Sequence, residues 1–131
     1  MGGTNSSSQN PQLRFDAPGA YDVSLTATNG GGSDTETKIS YINATDPPPV
    51  ADFSADNTTP SIGLTVNFTD LSSNNPTSWS WSFTPSTVTY VGGTSASSQN
   101  PQVQFDASGS YTVALTATNA GGTDTETKTN Y

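Results

Sequence analysis

Apolar residues alternate with Ser, Thr and Asn along most of this chain, with a period of two and no stretch near the helical 3.6. Val50–Asp56 puts Ala51 and Phe53 on one face. Leu64–Asp70 points Leu64, Val66 and Phe68 inward and Thr65, Asn67 and Thr69 outward. Ser78–Phe83 reads SWSWSF, with Trp79, Trp81 and Phe83 on one face and Ser80 and Ser82 on the other. Short strands are predicted at Thr87–Val91 and Gln102–Phe105. The clearest alternation, Ser110–Asn119, turns Tyr111, Val113, Leu115 and Ala117 inward. In Thr123–Tyr131 the pattern predicts Thr125, Thr127, Thr129 and Tyr131 inside and Asp124, Glu126 and Lys128 outside. About seven short strands in a little over 80 residues, separated by turn signals, predict an all-β antiparallel sandwich. Its expected core is Trp81, Phe83, Tyr111, Val113 and Leu115.

The same pattern occurs twice. Gly2–Tyr41 aligns with Gly92–Tyr131 without gaps at a constant offset, and about 28 of the 40 pairs are identical. Nothing upstream of Gly2 corresponds to Val50–Val91. The expected organisation is therefore the C-terminal half of a repeat at 1–45, a Pro-rich linker at 46–49, and a complete repeat at 50–131. Pro47, Pro48 and Pro49 favour an extended spacer and supply no ladder donors. In the half repeat Tyr21, Val23 and Leu25 take the core positions of Tyr111, Val113 and Leu115. Leu13, Phe15, Ile39 and Tyr41 fall on the same inward face, and Ile39 and Tyr41 support the inner face chosen for the last strand. With no opposite sheet these side chains would meet water, so the half repeat is expected to be completed from outside this chain, by neighbouring copies or repeats. In both copies Asp, Gly and Tyr, as DASGSY and DAPGAY, have the spacing of a tyrosine corner.

Composition narrows the function. Only 30% of residues are apolar and 11% charged, so Ser, Thr, Asn and Gly solvate the surface. Three Lys plus Arg stand against eleven Asp plus Glu. That balance provides no basic cluster for nucleic acid and disfavours anionic membrane surfaces. No apolar run reaches the roughly 20 residues of a membrane-spanning helix. No secretory signal is evident, and Met1 is read as other than the natural start of an exported precursor. The absence of Cys and His removes disulfides, thiolate sites and the commonest general base. Low charge with Thr-, Ser- and Asn-rich, Cys-free strands is a composition usual in microbial surface proteins.

The run YTVALTATNAGGTDT and the strand SWSWSF resemble the PKD (polycystic kidney disease) domain, an immunoglobulin-like β-sandwich. The resemblance covers Val50–Tyr131 in full and Gly2–Tyr41 as a back half. The family's Trp-Asp-Phe-Gly-Asp-Gly signature is broken here into Trp81-Ser82-Phe83-Thr84-Pro85-Ser86, without its acids and glycines. The form with GGTSASSQNP is similar to repeats in large surface proteins of Bacteroidetes-type bacteria. The resemblance implies an extracellular or cell-surface module in a filament, stalk or adhesin. The alternative it implies is an accessory module of a secreted hydrolase, binding polysaccharide or collagen.

Candidate chemistry is sparse. Asp52, Asp56, Asp70, Asp106 and Asp124 are scattered at predicted strand ends, not paired across a cleft as a glycosidase requires. Loop acids could serve calcium, but no Asp-x-Asp-x-Asp-Gly run is present. No catalytic residue and no cofactor is expected. A Lys–Asn crosslink would need a buried amine, whereas Lys38 and Lys128 are predicted on the outer face. Sequons begin at Asn5, Asn43, Asn57 and Asn67. The candidate interaction surface consists of Trp79, able to stack on a glycan from an edge, together with Leu13 and Phe15. Packing of both tryptophans in the core is the plainer alternative for Trp79.

Overall fold

The computed structural model describes residues 5–131. They form β1 (Gly19–Asn29), β2 (Gly32–Ala44), β3 (Phe53–Ala55), β4 (Thr65–Asp70), β5 (Ser78–Thr84), β6 (Val88–Val91), β7 (Gln102–Phe105), β8 (Thr112–Asn119) and β9 (Gly122–Lys128). There is no helix among these residues. The chain divides into two compact units, one ending at Asp46 and one spanning Pro47–Tyr131.

The second unit is an immunoglobulin-like sandwich. One sheet has the order β3-β4-β7-β6 and the other β5-β8-β9, all antiparallel. This is the constant-type immunoglobulin arrangement of four strands on three. Alternation drives the inward set together: Phe53, Val66, Phe68, Trp81, Phe83, Val103, Tyr111, Val113 and Leu115 form one buried cluster. Trp81 stands opposite Leu115 across the β5–β8 pair and is 3% exposed. Edge-to-face contacts join it to Phe53 at 5.1 Å and Phe68 at 5.4 Å. Its indole N–H donates to the Ser98 carbonyl at 2.9 Å, so its polar end is satisfied inside the core.

Two local devices hold the ends of the sandwich. At one end the Tyr111 hydroxyl donates to the Ala107 carbonyl at 3.0 Å and pairs with the Thr87 hydroxyl at 2.7 Å, forming a tyrosine corner. At the other end the buried side chain of Asn119 collects four bonds. Its Nδ2 donates to the carbonyls of Pro47 (2.9 Å) and Asn74 (2.7 Å), and its Oδ1 accepts from the N–H groups of Gly121 and Gly122. Pro49 is buried as well. The proline segment is thus held against the second unit and is not a free spacer.

Two sequence expectations reverse. Leu64 lies before β4 rather than in it and is 52% exposed. In β9 the residues paired with inward Val113, Leu115 and Ala117 are Lys128, Glu126 and Asp124, so the charged set, not the threonines, lies on the inner-facing side. The reason is a phase change just before Tyr131. Asn130 has φ 53°, a left-handed residue that shifts the alternation by one. Tyr131 therefore reaches the core edge, where its hydroxyl accepts from the Ala55 N–H at 3.0 Å, although Thr125, Thr127 and Thr129 face solvent. Ser40 occupies the same place in the first copy with φ 51°.

The first unit contains the hairpin β1–β2, turned at Gly30-Gly31. Its outer face is laced by hydroxyl pairs: Ser24 with Thr37 (2.7 Å), Thr26 with Thr35 (2.8 Å) and Thr28 with Ser33 (2.8 Å). Cross-strand hydroxyl pairs of this kind stabilise a sheet face that meets water. The register shifts between Tyr21 and Val23, where Ser40 N–H donates to Asp22 Oδ1 at 2.7 Å.

Candidate functional site

The first hairpin repeats the construction of β8–β9 residue by residue, without the rest of the sandwich. Tyr21, Val23, Leu25 and Ala27 are identical to Tyr111, Val113, Leu115 and Ala117 at the constant offset. Leu115 is fully buried beneath the opposite sheet, whereas Leu25 is 64% exposed. Val23 is 38% exposed and Tyr21 half-buried. Among the described residues of the first unit no strand faces β1–β2 as β3, β4 and β7 face β8, so Tyr21, Val23 and Leu25 do not make a core there. Each large apolar side chain left in water forgoes about 1.5–3 kcal/mol of burial. A two-stranded hairpin by itself is marginal in water.

Leu13 and Phe15 show the same lack. Their equivalents Val103 and Phe105 lie in β7, which is zipped between β4 and β6. Leu13 and Phe15 lie in a stretch that forms no strand. Leu13 is 69% exposed, and Phe15 folds onto Tyr21 with ring centroids 4.7 Å apart. Tyr41 is also exposed, with the Lys38 ammonium 4.7 Å above its ring. Ile39 is exposed too, and its equivalent Thr129 faces solvent even in the complete sandwich.

The second unit shows what the charged partners on such a hairpin do. Asp124 Oδ2 accepts from the Ala51 N–H at 2.8 Å. The Lys128 ammonium donates to Asp52 Oδ1 at 2.9 Å and to the Phe53 carbonyl, and lies over the Phe53 ring. The hydrogen bond from Lys128 and that from the Phe53 N–H hold the Asp52 carboxyl below its usual range. These two side chains tie β9 to the start of β3 and the segment leading into it. In the first hairpin the same residues, Asp34 and Lys38, stand opposite Ala27 and Val23. The candidate site is thus an apolar stripe on β1 flanked by Asp34 and Lys38 on β2. The strict alternation used above concealed this role by placing Lys38 and Lys128 on the outer face. The signal that would have found it is Asn130 before the last Tyr, since Asn tolerates the left-handed conformation.

Asp56, Asp70 and Asp106 are engaged locally. Asp56 accepts from the Asn67 side chain and backbone, which lower its pKa. Asp106 accepts from Thr89. Burial works to raise the pKa of Asp70, but donors from Ser72, Gln99 and Trp79 outweigh it and leave the pKa lowered. Trp79 is half-buried against the core, with its Nε1–H donating to Asp70 Oδ2 at 2.7 Å. Among the described residues no three acids gather as metal ligands.

A separate cleft of about 620 Å³ opens at the tyrosine-corner end of the second unit. Phe105, Tyr111 and Tyr131 line it together with the Asn57–Ile62 loop and Ser108–Ser110, and no charged residue lines it.

The comparisons agree with this architecture. No curated protein matches the chain. A family model, that of the PKD domain, matches residues 46–131, a stretch that takes in all of β3–β9 and the proline segment clamped by Asn119. The chain belongs to the PKD domain family.

Proposed function

We propose that this chain is a noncatalytic structural and interaction segment of an extracellular filament, stalk or adhesin built from tandem PKD-like repeats, and that the β1–β2 face is where repeats associate. PKD domains are typically extracellular and noncatalytic. The observation that carries the finer reading is the exposure of Val23 and Leu25 on a hairpin whose twin, β8–β9, buries the identical residues. A sequence matched to its twin at about 28 of 40 positions is complementary to the same kind of opposite sheet. A neighbouring PKD-like repeat carries that sheet. Trp79, the aromatic a polymer-binding module would use, is engaged with Asp70 and the core, so its geometry lends no support to that alternative.

Sedimentation of the whole chain over a concentration series tests the reading. The expected result is association that weakens on Val23→Ser with Leu25→Ser, while the unfolding of the second unit is unaffected. A chain that stays monomeric throughout, with those substitutions neutral, would overturn it.

A further inference from the structure

Each hairpin turn begins with an asparagine, and the two are held in opposite ways. Asn29 opens the β1–β2 turn and Asn119 the β8–β9 turn. Both side-chain oxygens accept from the backbone N–H two residues on, at 2.8 Å from Gly31 and 2.7 Å from Gly121. This bond bends the side chain back over the peptide that follows it. Asn119 is buried, and its Nδ2 is tied to the carbonyls of Pro47 and Asn74. Asn29 and the two glycines after it are exposed.

The next residue differs as well. Asn29 precedes Gly30, whereas Asn119 precedes Ala120. No other asparagine in the sequence precedes a glycine, and Asn10, Asn75 and Asn100 precede prolines, whose nitrogen carries no hydrogen. The amide carbon of an asparagine side chain is open to attack by the nitrogen of the following peptide. A side chain on that following residue hinders the approach, and glycine has none and leaves the peptide free to rotate.

We propose that Asn29 is a site of spontaneous deamidation, and that Asn119 is protected from the same reaction. The Gly30 nitrogen gives up its proton and bonds to Cγ of Asn29. The Cγ–Nδ2 bond breaks, and ammonia leaves with the proton. Water then opens the resulting succinimide at one carbonyl or the other, giving aspartate or isoaspartate. Water is the only other reactant, and nothing is oxidised or reduced. Either product adds a negative charge to a chain of net charge −8. Isoaspartate also adds a carbon to the main chain at the turn, where Asn29 pairs with Gly32, and so loosens the closing pair of the hairpin. Ala120 and the bonds on both side-chain atoms hold Asn119 out of this path. The reactivity arises in the turn itself and does not require repeats to associate.

The test is peptide mapping by mass spectrometry of the folded 131-residue chain kept in warm, mildly alkaline buffer, with isoaspartate read by isoaspartyl methyltransferase labelling. The peptide holding Asn29 is expected to gain one mass unit and to take the label, while the Asn119 peptide stays unchanged. Gly30→Ala, whose added Cβ meets nothing within 4 Å, should remove most of that gain. Ala120→Gly separates the clamp from the neighbouring residue: Asn119 should then convert in denaturant and stay intact in the folded chain. An Asn29 that converts no faster than Asn119, or a Gly30→Ala chain that converts like the parent, would overturn the proposal. Conversion of Asn119 in the folded Ala120→Gly chain at its rate in denaturant would overturn the protection assigned to the clamp.

Discussion

The ring of Phe15 lies 4.7 Å from the ring of Tyr21, and the ring of Phe105 lies 4.7 Å from that of Tyr111. One pair belongs to a half sandwich and the other to a whole one, yet the spacing is the same. The corner is therefore built locally, from a glycine turn, a tyrosine reaching back four residues and an aromatic ring beneath it. What differs is the cover. Phe105 also contacts Phe83 at 6.0 Å, a residue with no equivalent in the first unit.

That difference sets unequal costs for the two tyrosine hydroxyls. Tyr111→Phe leaves the Thr87 and Ala107 acceptors short of a donor in a partly buried site. It should cost the second unit about 1–3 kcal/mol in chemical unfolding. Tyr21→Phe, beside water, should leave that transition unchanged. Equal effects would mean that the first unit stabilises the second through this corner.

Trp81 is buried in the core, edge-on to Phe53 and Phe68. Trp81→Ala should destabilise the second unit by about 3–5 kcal/mol, enough to unfold a marginal domain of this size. Trp79→Ala should cost less, because that side chain is only half-buried. A Trp81→Ala chain whose Tm matches the parent would contradict the packing described here.

Acid should loosen the second unit. Asp52, Asp56 and Asp70 all have pKa values lowered from 3.8, so the folded form holds their protons less tightly than the unfolded form does. The stability they contribute is fully present above the unfolded value and is lost as pH falls through the lower folded values. Tm should be flat near neutrality and drop below about pH 4, and Asp70→Asn should flatten that drop. A Tm that rises on acidification through this range would show that repulsion within a chain of net charge −8 dominates instead.

Much of the fold was legible because the second unit obeys a period of two almost everywhere. Phe53, Val66, Phe68, Trp81, Phe83, Val113 and Leu115 could be placed inward from alternation alone, and the constant offset revealed the twin hairpins. Two things were not legible. A single left-handed residue, Asn130, reverses the phase between Lys128 and Tyr131, and alternation carries no sign of it. The behaviour of 12–15 depends on strands elsewhere: Val103 and Phe105 are held in a strand by β4 and β6, and Leu13 and Phe15 are not. Sequence identity between copies cannot supply a missing neighbour.

The most direct measurement concerns the bare face. A chain in which Pro47–Val91 is duplicated ahead of Gly2 supplies the first hairpin with strands equivalent to β3–β6. Amide exchange is then followed along β1 and β2. If the face is built for a PKD-like partner sheet, the amides of Tyr21–Ala27 should slow toward the rates of Tyr111–Ala117. Exchange at Val23 and Leu25 that is as fast as in the 131-residue chain would contradict it.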